Sequence, residues 1–208
     1  MSDHSVTGTI THVKPVLANP SAIGLFGLAM VTLVASTQKL GITDGTSLVI
    51  PWAIFLGASA QLYASIVDAK LNNTFGATAF GGFAFFWYSV SMTWLIQNGV
   101  FGKTMAQNAD IRQLGFAFVG YLIFSLYMTV GSMGTNKALF IDFLFIDLLF
   151  LGLSLSVLGI FPHEMHLLAA YSEFIIALIS FYGSAAVVIN TQFEKTILPV
   201  GGPFKIFR

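Results

Sequence analysis

Long apolar runs separated by short polar turns fill most of the chain. A helix needs about 20 apolar residues to cross the roughly 30 Å hydrocarbon layer of a bilayer. Six stretches qualify: about 21–38, 46–68, 74–97, 114–133, 139–161 and 165–190. The connections are short, the longest being about 98–113. The pattern predicts an all-α integral membrane protein with six spans in one compact bundle and no soluble domain. Residues 1–18 and 193–208 read as short tails around a six-helix domain over 19–192. The sequence shows no convincing internal repeat.

Composition agrees with lipid as the main solvent. Hydrophobic residues make up 56% of the 208 positions and charged residues 9%, with a mean hydropathy of +0.82. A soluble domain carries roughly 25% charged residues, so this chain does not have the polar side chains to cover itself. The net charge is zero and no block of Lys or Arg occurs, which argues against a nucleic-acid partner. The absence of cysteine rules out a disulfide framework and a thiolate-bound metal. The first eighteen residues lack a charged stretch followed by an apolar core, so no cleaved signal peptide is expected. Six spans put both termini on one side. Lys14, Lys70, Lys137, Lys195, Lys205 and Arg208 fall on that side, against Lys39, Lys103 and Arg112 on the other. This asymmetry predicts both termini in the cytoplasm.

Polar groups within the spans are the candidates for chemistry, because an ionisable group at mid-helix costs about 2.5–3.5 kcal/mol on insertion. Asp147 lies about eight residues into the fifth span. It is expected to face protein or water, either in an interhelical hydrogen bond or on a pore. Asp142 stands near the start of that span, where a solvated helix start and a role inside the bundle both account for it. Glu173 is followed by Ala177, Ser180 and Ser184 on one face of the sixth span. That track reads as a close-packed seam or as one wall of a water-filled path. Gln61 follows the small residues Gly57-Ala58-Ser59-Ala60 and offers two donors and an acceptor without charge. Ser89, Thr93 and Gln97 share a face of the third span, and such hydroxyls often bond back to their own helix. Asn19-Pro20 has the form of an N-cap followed by a first-turn proline. Asn73-Thr74, in the stretch Asn72 to Phe80 where a polar loop becomes an apolar helix, has a similar form. Both read as ordinary caps or as helix ends able to hold a carboxylate. Catalytic signatures are absent. His163-Glu164-Met165-His166 has its histidines three apart, in an expected loop, and is not a zincin pattern. Neither enzyme activity, a cofactor nor a metal is expected.

Four stretches together resemble one family. Asn19-Pro20-Ser21-Ala22-Ile23-Gly24-Leu25 is similar to the NPAPLGL signature of the acetate and succinate uptake transporters, the GPR1/FUN34/YaaH family, with three departures of which Ala22 is one. Phe55 to Gln61 resembles its F-Y-G-G-x-x-Q run. Asn73-Thr74-Phe75-Gly76-Ala77-Thr78-Ala79-Phe80 matches its NTFG-x-TAF run closely. The tail from Asn190 to Gly201 is similar as well. The resemblance implies a six-helix protomer that assembles as a homohexamer, each protomer with its own path for small carboxylates such as acetate and succinate. It implies substrate-binding and pore positions at Asn19, Pro20, Gly24, Gln61, Asn73, Thr74 and Phe75. It also implies a hydrophobic constriction made by Leu28, Phe83 and Ile146. The family pattern has Phe and Tyr at the first two of these, so the constriction here is expected to be drier, and wider at the first position.

These readings converge on a multi-pass cell-membrane protein that takes up small carboxylates, with proton coupling. A carboxylate would be drawn to the helix ends at Asn19-Pro20 and Asn73-Thr74, pass Gln61, and cross the constriction. A bare anion crosses such a gate at high cost, so a proton would accompany it unless the gate is wet. Glu173 and Asp147 are the candidates for proton handling, since burial favours the protonated form of a carboxyl. A passive carboxylate channel without coupling is the alternative reading. A carboxylate-binding sensor that does not transport is a more distant one.

Overall fold

The apolar runs form six long helices. In the computed structural model, which describes residues 17–205, these are α1 (Ser21–Lys39), α2 (Val49–Lys70), α3 (Thr74–Gln97), α4 (Ile111–Ser132), α5 (Lys137–Val157) and α6 (Pro162–Gln192), each long and apolar enough to cross a membrane. No strand occurs among the described residues, and a short helix, Lys103–Gln107, lies between α3 and α4. Most of the expected 1–18 tail, with Lys14, lies outside the described residues, as does Arg208. Alternation places the N-termini of α1, α3 and α5 at one end, here called the near end, with the C-termini of α2, α4 and α6. Lys70, Lys137, Lys195 and Lys205 belong to this end, and Lys39, Lys103 and Arg112 to the far end.

Local chemistry fixes where the helices begin. Asn73 caps α3 by accepting the Gly76 N–H at 3.1 Å, and Asn136 caps α5 by accepting the Leu139 N–H at 2.9 Å. Asp110 caps α4 and pairs with Arg112, whose hydrogen bonds hold its carboxyl down at about 2, so the cap stays ionised. The reading of Asn19-Pro20 as cap and first helical residue is off by one. Pro20 occupies the cap position, and Asn19 Oδ1 accepts the Ser21 N–H at 3.0 Å, two residues on. The fifth span ends four residues before the expected 161, at Val157, because Gly159 takes φ +81 and turns the chain. The sixth starts earlier than expected, with Pro162 in its first turn. His163 and His166 therefore stand on a helix and not in a loop, and His166 Nε2 lies 2.9 Å from the Lys39 carbonyl oxygen.

α2 is wound as a π-helix over Ala53–Ala60. The wider turn shifts each backbone bond by one residue, a distortion often found at functional sites. Gln61 follows at once, and its Nε2 donates to the Gly57 carbonyl four residues back at 2.7 Å.

The helices form a ring. α6 packs against α1 on one side and α5 on the other, α4 packs on α5, and α2 lies between α1 and α3. The α3–α4 contact is thin, and aromatic rings fill the space beside it. Phe83 stacks on Phe150 at a centroid distance of 6.3 Å and meets Phe124 edge-on at 5.4 Å. Tyr121 on α4 sends its hydroxyl to the Gly82 carbonyl at 3.0 Å, satisfying the polar end of a mostly apolar ring. Two members of the small-residue track join α6 to α1, while Ser180 turns to Asp142 of α5. Ser184 donates to the Ala22 carbonyl at 2.7 Å, and Glu173 pairs with Lys39 at 2.9 Å. Small side chains let the two backbones approach, as in other membrane bundles. The stripe on α3 bonds to its own helix, Ser89 to Phe85 and Thr93 to Ser89. Phe55, Tyr63, Phe116 and Ile123 project outward with well over half of their surface exposed, as a lipid-facing surface requires.

Candidate functional site

A cavity of about 340 Å³ opens at the near end and runs into the bundle between α1, α3, α5 and α6. Its mouth is ringed by asparagines that the turns have placed there. Asn19 precedes α1, Asn73 caps α3, Asn136 caps α5, and Asn190 stands on the last turns of α6. Three helix N-termini thus converge on one opening. Each carries partial positive charge from unpaired N–H groups, equivalent to about half an elementary charge per helix. Asp68 on α2 steadies this ring. It is 2% exposed, and its Oδ1 accepts from Asn73 Nδ2 at 2.9 Å, leaving the Asn73 oxygen for the helix cap. Gly76 is required beside it, since any Cβ there would collide with Asp68 Oδ2.

The chain after α6 closes one side of the mouth. Asn190 donates to the Leu198 carbonyl at 2.8 Å and accepts the N–H groups of Ile197 and Leu198. Val200 accepts from the Ala138 N–H at 3.0 Å and lines the cavity. The similarity seen in this tail is thus in a segment that shapes the opening.

Deeper in, the walls become apolar. Leu28, Phe83 and Ile146 line the inner end of the cavity, and the same three side chains line a second space of about 10 Å³ with Phe86, Trp87 and Phe150 among its walls. They are the partition between the two. The second space is too small to hold more than one water, so the cavity narrows to closure there. The residues expected at a constriction, one each from the first, third and fifth spans, therefore stand together at the blind end of the cavity.

Of the other expected pore positions, Asn19, Gln61, Asn73 and Phe75 line the cavity, while Pro20, Gly24 and Thr74 do not. Gln61 is fully buried, and its Oε1 has no hydrogen-bond partner, so an acceptor is held ready at the wall. Gly24 serves packing instead, because a Cβ there would lie 2.5 Å from the Phe80 ring. Thr74 is exposed on the first turn of α3. Neither proton-handling candidate reaches the cavity. Asp147 accepts from Thr129 of α4 at 2.7 Å, the interhelical bond that was one of its two readings. Glu173 is buried against Lys39 beyond the partition. Asp142 does line the cavity. It is 1% exposed and accepts from Ser180 Oγ at 2.9 Å, so it is not a solvated helix start. The sequence reading missed Asn136 and Asn190. The first had a legible signal, an asparagine directly before an apolar run. The second heads the family-like tail run, but its bonds to Ile197 and Leu198 are visible only in the fold.

Six membrane-length helices thus hold a blind, polar-mouthed cavity between α1, α3, α5 and α6. The comparisons give this architecture a family. The GPR1/FUN34/yaaH family profile matches residues 5–201. The chain is 30% identical over 186 residues to the succinate-acetate/proton symporter SatP of Escherichia coli K12, covering 89% of this chain and 96% of that one. It is 33% identical over 136 residues to acetate permease A of Emericella nidulans, covering 62% of this chain and 45% of the relative. A solved structure of the bacterial acetate channel SatP superposes with a TM-score of 0.82 at 28% identity, covering 89% of this chain and all of that one. The chain belongs to the GPR1/FUN34/yaaH family, a multi-pass membrane transport protein and not an enzyme.

Proposed function

We propose that the protein moves small carboxylates, acetate and succinate among them, through this cavity and past Leu28, Phe83 and Ile146. The observation that carries the reading is the convergence of the three helix N-termini on the mouth of a cavity whose inner end is that apolar partition. The partial positive charge attracts an anion without a fixed cation that would hold it. The amide N–H groups of Asn19 and Asn73 then supply exchangeable hydrogen bonds to carboxyl oxygens, and the free Gln61 Oε1 accepts the O–H of a protonated acid, with Phe75 forming an apolar wall beside them. Names of relatives support the substrate class, since they refer to acetate and succinate.

At the partition the substrate loses most of its water. In protein data an unmatched polar group costs roughly 1–3 kcal/mol to bury, and an ion far more. A proton that neutralises the carboxylate lowers this cost, so the reading includes proton-coupled uptake. Transport without coupling is the second reading, supported by the likeness to the solved bacterial acetate channel SatP. Residues 19–192 form the transport domain and the flanking tails are cytoplasmic, with the mouth on the cytoplasmic side where four of the lysines lie. The site of action is the cell membrane, and the assembled form is a homohexamer in which each protomer has its own path.

The test is uptake of labelled succinate by liposomes containing the purified protein, with unlabelled acetate as competitor. Succinate is the better probe because neutral acetic acid crosses lipid unaided. Saturable uptake that acetate suppresses is expected. Binding of acetate without any flux would replace transport with sensing.

A further inference from the structure

Asp142 is the one titratable side chain among the described residues lining the cavity. It is 1% exposed, with Ser180 donating to Oδ2 and no partner for Oδ1. It precedes Ile146 by four residues on the same face of α5, about 6 Å short of the partition at 1.5 Å per residue.

Among the described residues, no cationic side chain facing it offsets its charge. α1 presents Asn19, Ser21, Leu25 and Leu28 to the cavity, α2 presents Gln61, and α3 presents Asn73 and phenylalanines. α6 brings Ser180, with Glu173 seven residues away and tied to Lys39. On its own helix, Asp147 turns to Thr129 of α4, and Lys137 is exposed at the near end. Asp68 of α2 is held by Asn73 and does not line the cavity.

A carboxylate on the near side of the partition, whether about to cross it or just through it, must therefore pass another carboxyl group. Two carboxylates in one site do not both stay ionised, and such pairs hold one proton between them. Resting on the reading that this cavity carries carboxylates, we propose that Asp142 and the substrate share one proton at the threshold of the Leu28/Phe83/Ile146 partition, which makes Asp142 the residue that couples transport to protons. The bookkeeping is simple. One O–H, on either group, donates to an ionised oxygen of the other. The proton comes from water on the loading side together with the substrate. It crosses the apolar partition on the substrate and is released to water with it, and Asp142 ends the cycle as it began.

The experiment uses full-length protein in liposomes, with succinate uptake read under a pH gradient at clamped voltage and under voltage alone. Wild-type protein should accumulate succinate about tenfold more for each pH unit imposed, the value for one coupled proton. Asp142→Asn keeps the shape and lets an amide N–H replace the shared proton. Its uptake should follow voltage and lose the response to the pH gradient. Asp147→Asn and Glu173→Gln should keep that response. Asp142→Asn with an unchanged pH response would overturn the assignment, as would wild-type uptake that ignores the gradient, and in both cases carboxylate transport itself stands. Absence of any carboxylate flux in wild type would instead remove the transport reading. If Asp142→Asn does not fold, a pH-sensitive dye inside wild-type liposomes decides. Internal acidification by one proton per succinate supports the proposal, and none overturns it.

Discussion

Replacing Phe83 with Ala should open the partition. The Phe83 ring is 5% exposed, stacks on Phe150 and meets Phe124 edge-on, and it separates a cavity of about 340 Å³ from a space of about 10 Å³. At about 30 Å³ per water the larger space has room for roughly ten molecules, and the smaller has room for one at most. Without the ring the two spaces join, and a carboxylate keeps hydration it now sheds. Each hydrogen bond retained there is worth roughly 1–3 kcal/mol, and 1.4 kcal/mol is a factor of ten in rate. One retained water therefore predicts succinate flux about tenfold above wild type, with weaker discrimination among acids. The cost is stability, because a buried Phe→Ala change removes about 3–5 kcal/mol. The assay is succinate uptake per folded protein, with the folded fraction read by size-exclusion chromatography. Phe85→Ala, at a ring 59% exposed on the outside of the same helix, is the control. Flux in Phe83→Ala at or below that of the control would refute the idea that this ring forms the narrow point.

Other outcomes follow from single contacts. Lys39→Ala strands a buried Glu173 carboxyl, and removing one partner of a buried pair costs about 3–5 kcal/mol. Thermal unfolding in detergent should fall by several degrees, and adding Glu173→Gln should restore much of the loss. Asn190→Ala removes three hydrogen bonds that hold the chain at Ile197 and Leu198, so limited proteolysis should cut the C-terminal segment faster while the helices stay intact. Gly24→Val drives side-chain atoms into the Phe80 ring, and overpacking of this kind costs about 1–3 kcal/mol, visible as a lowered unfolding temperature.

The helices were legible because lipid imposes a length and an apolar composition that a sequence states openly. The third span was placed at 74–97, the helix observed, since Asn73 and the apolar run mark its start. The boundaries that slipped did so for local reasons. Gly159 cut the fifth span short, and Pro162 began the sixth early. The π-wound segment in α2 has no period that hydropathy would register. Cavity-lining residues were legible where one helix carried the signal, as with Gln61 after four small residues. Roles that depend on two helices were hidden. Glu173 read equally as part of a seam or of a pore wall, and only the fold shows Lys39, 134 positions away, 2.9 Å from it. Asp142 read equally as a solvated helix start or as a group inside the bundle, and the packing of α6, which brings Ser180 to its oxygen, decides for the second.

The most direct test of the path uses the absence of cysteine from the chain. Single substitutions Ala79→Cys and Ala138→Cys place a thiol on the cavity wall, and Thr104→Cys places one at the exposed far end. Each is treated with a membrane-impermeant thiol reagent applied to the near-end face, or to the far-end face for Thr104→Cys, with and without succinate. The account predicts that succinate slows labelling at 79 and 138 and leaves 104 unchanged. Equal labelling at 79 and 138 with and without saturating succinate would contradict it, because the substrate would then not occupy the cavity that ends at Leu28, Phe83 and Ile146.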